Sequence, residues 1–140
     1  MKAILIMSLT LVSVCAHGYP ERWKAWAAQA TSNVQTQAIV IAIARHESGD
    51  GTSRKYREMK NAHGLTSATK YMTFADPAES FREASRRLEN GKAYARVRRQ
   101  AASAEDFIVR IAPIWCPLDT SQWRRNVILF YREESTKMLK

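Results

Sequence analysis

A small, mainly α-helical domain (α+β, with at most one short β-hairpin) is the fold class the sequence predicts, and three observations predict it. Apolar residues recur at helical spacing in almost every segment between the breaks. Helix-start signals precede those segments, most clearly Asp76-Pro77-Ala78-Glu79 and Ser103 with Asp106. Strand-like alternation is confined to Tyr71-Met72-Thr73-Phe74. The chain has 140 residues, the length of a single domain.

The elements follow in order. Residues 21–30 form a first helix behind Pro20, with Trp23 and Trp26 on one face. Thr31, Ser32 or Asn33 caps a second helix that runs to Glu47 and is ended by Gly49 and Gly51. Residues 52–73 are polar and poorly periodic, which predicts a loop followed by a short strand or hairpin. Asp76 as N-cap, Pro77 at the first helical position and Glu79 beyond it start a helix that buries Phe81, Ala84 and Leu88 and ends at Asn90-Gly91. A short helix is expected around Tyr94 and Val97. Ser103 opens another, carrying Phe107, Ile108 and Ile111, that stops near Pro113. Residues 114–119 read as a loop. Asp119, Thr120 or Ser121 then caps a last helix that buries Trp123, Val127 and Phe130.

The N-terminus has a different character. Lys2 followed by the short apolar run 3–14, with small residues at Ala16 and Gly18, predicts an export signal over residues 1–18 and a folded domain over 19–140. The expected location is periplasmic or secreted, the alternative being a domain tethered to the membrane by an uncleaved signal. Of the two cysteines, Cys15 and Cys116, only Cys116 lies in the domain, so no internal disulfide is expected there. The net charge is +9, from 22 Lys and Arg against 13 Asp and Glu. The basic run Arg82, Arg86, Arg87, Lys92, Arg96, Arg98 and Arg99 is either a solvated helix face or an attraction to polyanions. Export favours cell wall over nucleic acid as that polyanion, with weak association to anionic membrane surfaces as a further expectation. No spacing of His and Cys suggests a metal site, and no cofactor is expected. The domain is expected to be a monomer.

Glu47 is the candidate catalytic residue. On a helix it shares a face with Ile43, Val40 and Ile39. A carboxylate on an apolar stripe is costly, and at a helix C-terminus it opposes the macrodipole. Both effects raise its pKa, as a glycosidase requires of its general acid. The plain alternative is an exposed glutamate at a frayed helix end. A partner carboxylate would lie roughly 5–5.5 Å away in a retaining enzyme or about 6.5–9.5 Å away in an inverting one. Asp50 and Glu58 are the candidates for a second acid. Asp76 and Glu79 are better explained as a cap.

The combined pattern Glu47-Ser48-Gly49-x-Gly51-Thr52-Ser53, Asn61-x-x-Gly64-Leu65 and Tyr71-x-x-Phe74-x-x-Pro77-x-Glu79-Ser80-Phe81 resembles a known family. It is similar to the bacterial and phage endo-β-N-acetylglucosaminidases of glycoside hydrolase family 73, which include the flagellar-rod peptidoglycan hydrolases. The likeness covers about residues 37–130. It implies a lysozyme-like fold with a cleft, no cofactor, and cleavage of peptidoglycan glycan strands. Under it Glu47 is the general acid. Asn61, His63, Tyr71, Trp115 and Asp119 become candidate substrate-binding residues, with 111–123 as the C-terminal cleft loop. His63 stands where the family usually has Phe, and Asp50 where it usually has Trp. The segment before Tyr71 is short for a lobe carrying a second acid. A single-carboxyl chemistry therefore stays open: attack by the substrate's own N-acetyl oxygen, or lytic transglycosylation. A muramidase, an inactive cationic wall-binding module and a membrane-active protein are the other readings.

Overall fold

The computed structural model describes residues 18–140. The export signal expected over residues 1–18 falls outside them, apart from Gly18. Among the described residues the chain is mainly helical: α1 (Arg22–Ala30), α2 (Val34–Ser48), α3 (Arg54–Met59), α4 (Pro77–Asn90), α5 (Ala95–Gln100), α6 (Ala104–Trp115) and α7 (Thr120–Met138). One antiparallel hairpin, β1 (Thr66–Ser67) with β2 (Lys70–Tyr71), pairs Thr66 with Tyr71 and Ser67 with Lys70. A 3-10 turn over Lys92–Tyr94 leads into α5. No described helix is long and apolar enough to cross a membrane.

Helix α2 is the axis of the domain. Every residue from Ala38 to Ala44 is buried, so the helix is apolar on all sides rather than along one stripe. Such a helix is stable only when surrounded, and α1, α4, α6 and α7 all pack against it. Each buried Ile or Val contributes about 1.5–3 kcal/mol over its exposed state. The Asn33 side chain caps the start by accepting from the Thr36 amide at 3.1 Å. Gly49, in the left-handed conformation at φ 56°, closes the other end. Around this axis Trp23 fills the α1–α4 side, edge-on to Phe81 at 5.6 Å, with its indole N–H donating to the Tyr56 hydroxyl at 3.1 Å.

A polar clasp joins the chain's first described residues to its last helix. Glu134 is fully buried and accepts from the Tyr19 hydroxyl (2.5 Å), Arg45 (3.1 Å) and Lys137 (3.1 Å). The Arg45 guanidinium lies over the Phe130 ring at 4.2 Å and the Tyr19 ring at 5.4 Å. Three cationic or hydroxyl donors are what make a buried carboxylate tolerable.

Three local expectations change. Residues 54–59 form helix α3 instead of continuing a loop: Ser53 caps it by accepting from the Tyr56 amide at 3.2 Å. Six residues with none fully buried leave no apolar period to read. Helix α6 runs through Pro113 to Trp115, because Pro113 sits on its exposed side and the Cys116 amide still reaches the Ala112 carbonyl at 2.9 Å. The hairpin falls inside the predicted 52–73 segment, at 66–71. Phe130, expected in the core, is half-buried under Arg45.

Candidate active site

Glu47 occupies the last turn of α2, and the segment after it is pinned. Gly49, Asp50 and Gly51 all take positive φ (56°, 54° and 87°). The Ser48 hydroxyl donates to the Ala44 carbonyl at 2.6 Å and accepts from the Gly51 amide at 2.9 Å. The Thr52 hydroxyl donates to the Gly49 carbonyl at 2.7 Å. This turn directs the chain into α3 and keeps the end of α2 from unwinding under its own carboxylate.

The Glu47 carboxyl is half-buried, with one oxygen hydrogen-bonded and the other in a close fit. Trp123, itself 1 % exposed in the core, donates its indole N–H to Oε1 at 2.9 Å. Against Oε2 lies Gly64: a Cβ there would come within 2.6 Å of that oxygen, and Gly64 has φ +63°. Burial raises the Glu47 pKa above the ordinary carboxyl value. The Trp123 hydrogen bond and the charges of His46 and Lys55 pull it partly back. His46 sits edge-on to Trp123 at 6.4 Å and near Asn126, which makes it a neighbour of the Trp123 indole. Lys55 lies over the Tyr71 ring at 4.0 Å.

The remaining candidates divide sharply. Tyr71 is half exposed beside Lys55. Trp115 is half-buried, its ring centroid 6.4 Å from Trp123 and 6.1 Å from Tyr94, with its N–H donating to the His63 carbonyl at 3.3 Å. Asp119 is exposed at the start of α7, where its side chain makes no capping bond.

Asn61 and His63 are corrections to the expectation that they touch substrate. The Asn61 amide donates to the Leu65 carbonyl (2.8 Å) and the Met72 carbonyl (2.9 Å), and its oxygen accepts from the Leu65 amide (3.0 Å). At 1 % exposure it braces the 61–65 turn from inside. His63 is fully buried, with Nε2 on the Val40 carbonyl at 3.0 Å and Nδ1 on the Ser80 hydroxyl at 3.1 Å. A carbonyl only accepts, so Nε2 carries the proton and Nδ1 accepts from Ser80. Both residues shape the site by placing Gly64, without reaching it themselves.

Both second-acid candidates are ion-paired in the structure. Asp50 is paired with Arg45 Nε at 2.9 Å, on the clasp side of the turn. Glu58 is exposed on α3 and bound to Arg54 at 2.8 Å. The basic run is partly neutralised as well: Arg86 and Arg87 both pair with Glu83, and the Arg98 guanidinium donates to the Leu88 and Gly91 carbonyls.

Two concavities lie elsewhere. One of about 530 Å³ sits where the N-termini of α2 and α6 meet α4, lined by Thr36, Ile39, Glu89 and Phe107. Another of about 620 Å³ lies between α1 and α3, lined by Trp26, Tyr56 and Asp76. Neither includes Glu47. Among the described residues no group of His, Cys, Asp and Glu could hold a metal ion. No family model, curated protein or solved structure matches the chain.

Two variants test how the carboxyl is held. Gly64→Ala puts a methyl group against Oε2 and forces a left-handed residue to carry a Cβ. The backbone term is about 1–2 kcal/mol of stability. Because the flexible Glu47 tip is what must move, activity is expected to fall further than unfolding accounts for. Activity and melting temperature measured together check this, and a normal rate would mean that Gly64 does not position Glu47. Trp123→Phe removes the donor to Oε1. The Glu47 pKa then rises further, so the alkaline limb of the activity profile is expected to move to higher pH. An unmoved limb would mean the indole does not act on the titrating group.

Proposed function

We propose that the protein is an exported peptidoglycan glycosidase in which Glu47 is the general acid, built on a lysozyme-like arrangement. The observation that carries the reading is the Glu47 carboxyl itself: half-buried, raised in pKa, hydrogen-bonded by Trp123 and packed closely against Gly64. Protonated, it gives its proton to the glycosidic oxygen as the bond breaks. Tyr71, with Trp115 and Asp119, supplies surface for the sugar rings, whose apolar faces pack on aromatic side chains.

Asp50 and Glu58 are committed to Arg45 and Arg54, which favours a chemistry with one protein carboxyl. The substrate then supplies the nucleophile. Its 2-acetamido oxygen can attack the anomeric carbon, leaving an oxazoline that water opens. Alternatively its 6-hydroxyl attacks and leaves an anhydro end, with Glu47 first giving and then taking a proton. The endo-β-N-acetylglucosaminidase reading from the sequence corresponds to the first route, and a lytic transglycosylase to the second. An export signal at residues 1–18 would deliver the domain to the wall.

The test is digestion of purified peptidoglycan by the wild type and Glu47→Gln, with products read by mass spectrometry. New reducing N-acetylglucosamine ends identify a glucosaminidase. Reducing muramic acid ends identify a muramidase, and anhydro ends a transglycosylase. A folded wild type that binds the wall and releases nothing would overturn the enzymatic reading in favour of a binding module.

A further inference from the structure

Lys55 has no part in the chemistry assigned to Glu47, yet its position is specific. It stands in the first turn of α3, half-buried, with its ammonium 4.0 Å from the centre of the Tyr71 ring. Arg45 is paired with Asp50, Glu133 and Glu134, and Arg54 with Glu58. Lys55 makes no ion pair among the described residues. Arg57 and Lys60 share that unpaired state there, but Lys55 is the lysine seated on an aromatic ring at the hairpin. Its charge acts on Glu47 in the direction that favours the carboxylate, against what a general acid needs. A cation that opposes the acid beside it, and that no protein carboxylate neutralises, is suited to an anion that arrives from outside. The Tyr71 face holds the ammonium in place while the N–H groups turned away from the ring stay available to a ligand.

Resting on the glycosidase reading, we infer that Lys55, positioned on the Tyr71 ring, binds a carboxylate of the substrate and makes the site selective for acidic glycan strands over neutral ones. In a wall polymer such a carboxylate is the lactyl group of an unsubstituted muramic acid or an acid of its peptide stem. An ammonium is a point charge with rotatable donors, so it accepts one carboxylate oxygen without demanding the planar, two-pronged geometry of an arginine site. A bound carboxylate also offsets the charge that Lys55 places near Glu47. Binding the correct strand therefore relieves the conflict at the acid.

The experiment uses the full chain and glycan strands stripped of peptides, in two forms: with free lactyl carboxylates, and with the same groups converted to methyl esters. Cleavage is followed for the wild type, Lys55→Met and Tyr71→Leu, and strand binding is measured in parallel on Glu47→Gln with and without Lys55→Met. Melting temperatures verify that each variant is folded. The wild type is expected to prefer the free-acid strands by roughly tenfold, the size of one charge-assisted hydrogen bond at a part-exposed site. The preference is expected in KM more than in kcat. Lys55→Met should reduce the ratio to near one, and Tyr71→Leu should reduce it in part. Equal treatment of the two strands by the wild type, or a preference that survives Lys55→Met, overturns the inference. If the wild type cuts neither strand, the glycosidase reading fails. Binding still decides this inference, which stands if free-acid strands bind more tightly in a Lys55-dependent way and falls if they do not.

Discussion

Glu47→Gln is expected to lose glycan-strand cleavage by ~10²–10⁴-fold and at the same time to gain thermal stability at neutral pH. The two effects have one cause. The glutamine oxygen can still accept from Trp123, so the shape of the site survives, but no proton is available for the leaving oxygen. The stability effect follows from linkage. The folded-state pKa of Glu47 is raised by burial above its unfolded value. Its contribution is therefore complete at pH values below the ordinary carboxyl pKa and is lost as pH rises through the folded pKa. Glutamine never ionises and loses nothing. Melting temperatures of the two proteins should nearly coincide at about pH 4, near the reference carboxyl pKa, and separate in favour of the variant toward neutrality. An active variant sinks the assignment of Glu47. A variant that is inactive and less stable at neutral pH would point to a structural role instead.

The second large effect is expected at His63, and it runs the opposite way in pH. Burial holds the ring neutral, with its pKa lowered from 6.5 to about 3. Between those values the unfolded chain takes up a proton that the folded chain refuses, so stability falls as pH drops through that window. The slope reaches about 1.4 kcal/mol per pH unit, which amounts to several kcal/mol by the acid end. Glu83 adds a loss at lower pH: its hydrogen bonds to Arg86 and Arg87 hold it at about 2, and that gain vanishes as it protonates. His63→Phe keeps a ring against Phe81 but removes the donor to the Val40 carbonyl, costing roughly 1–3 kcal/mol at pH 7. Phenylalanine carries no protonation penalty, so the difference should shrink below pH 6 and can reverse. Urea unfolding at a series of pH values reads this directly. Parallel curves for the two proteins would show that His63 is not kept neutral by the fold.

The helices were readable because their ends are written locally. Asn33, Asp76 and Ser103 each accept from an amide two or three residues on, so the signal and the structure it makes are neighbours in the chain. Helix α3 was not readable, since six residues that bury nothing completely have no period. Glu47 stood out for the same local reason: a carboxylate on an apolar stripe before two glycines. Its surroundings did not, because they are assembled across the fold. The indole that reaches Oε1 lies 76 residues away, and helical register marks Trp123 as core without saying where its N–H points. Asn61 and His63 looked like polar loop residues facing a cleft. Their partners include Met72, Ser80 and Val40, and nothing near 61–63 in sequence announces that these side chains turn inward. What the motif Asn-x-x-Gly-Leu encodes here is a braced turn that brings Gly64 against the acid. Lys55 is one lysine among several on a basic segment, distinguished only by the aromatic ring beneath it.

The clasp at Glu134 bears on how the domain opens. Small helical proteins usually begin to unfold by fraying, each end loosening without reference to the other. Here one buried carboxylate is shared by Tyr19 ahead of the first helix, Arg45 in the central one and Lys137 in the last turn of the seventh. Releasing α7 withdraws Glu134 from Tyr19 and Arg45 together, so that helix cannot peel away without breaking both bonds. Tyr19, the helix that carries Glu47 and α7 are thereby tied to one another, and the Arg45–Asp50 pair extends the tie to the turn after Glu47.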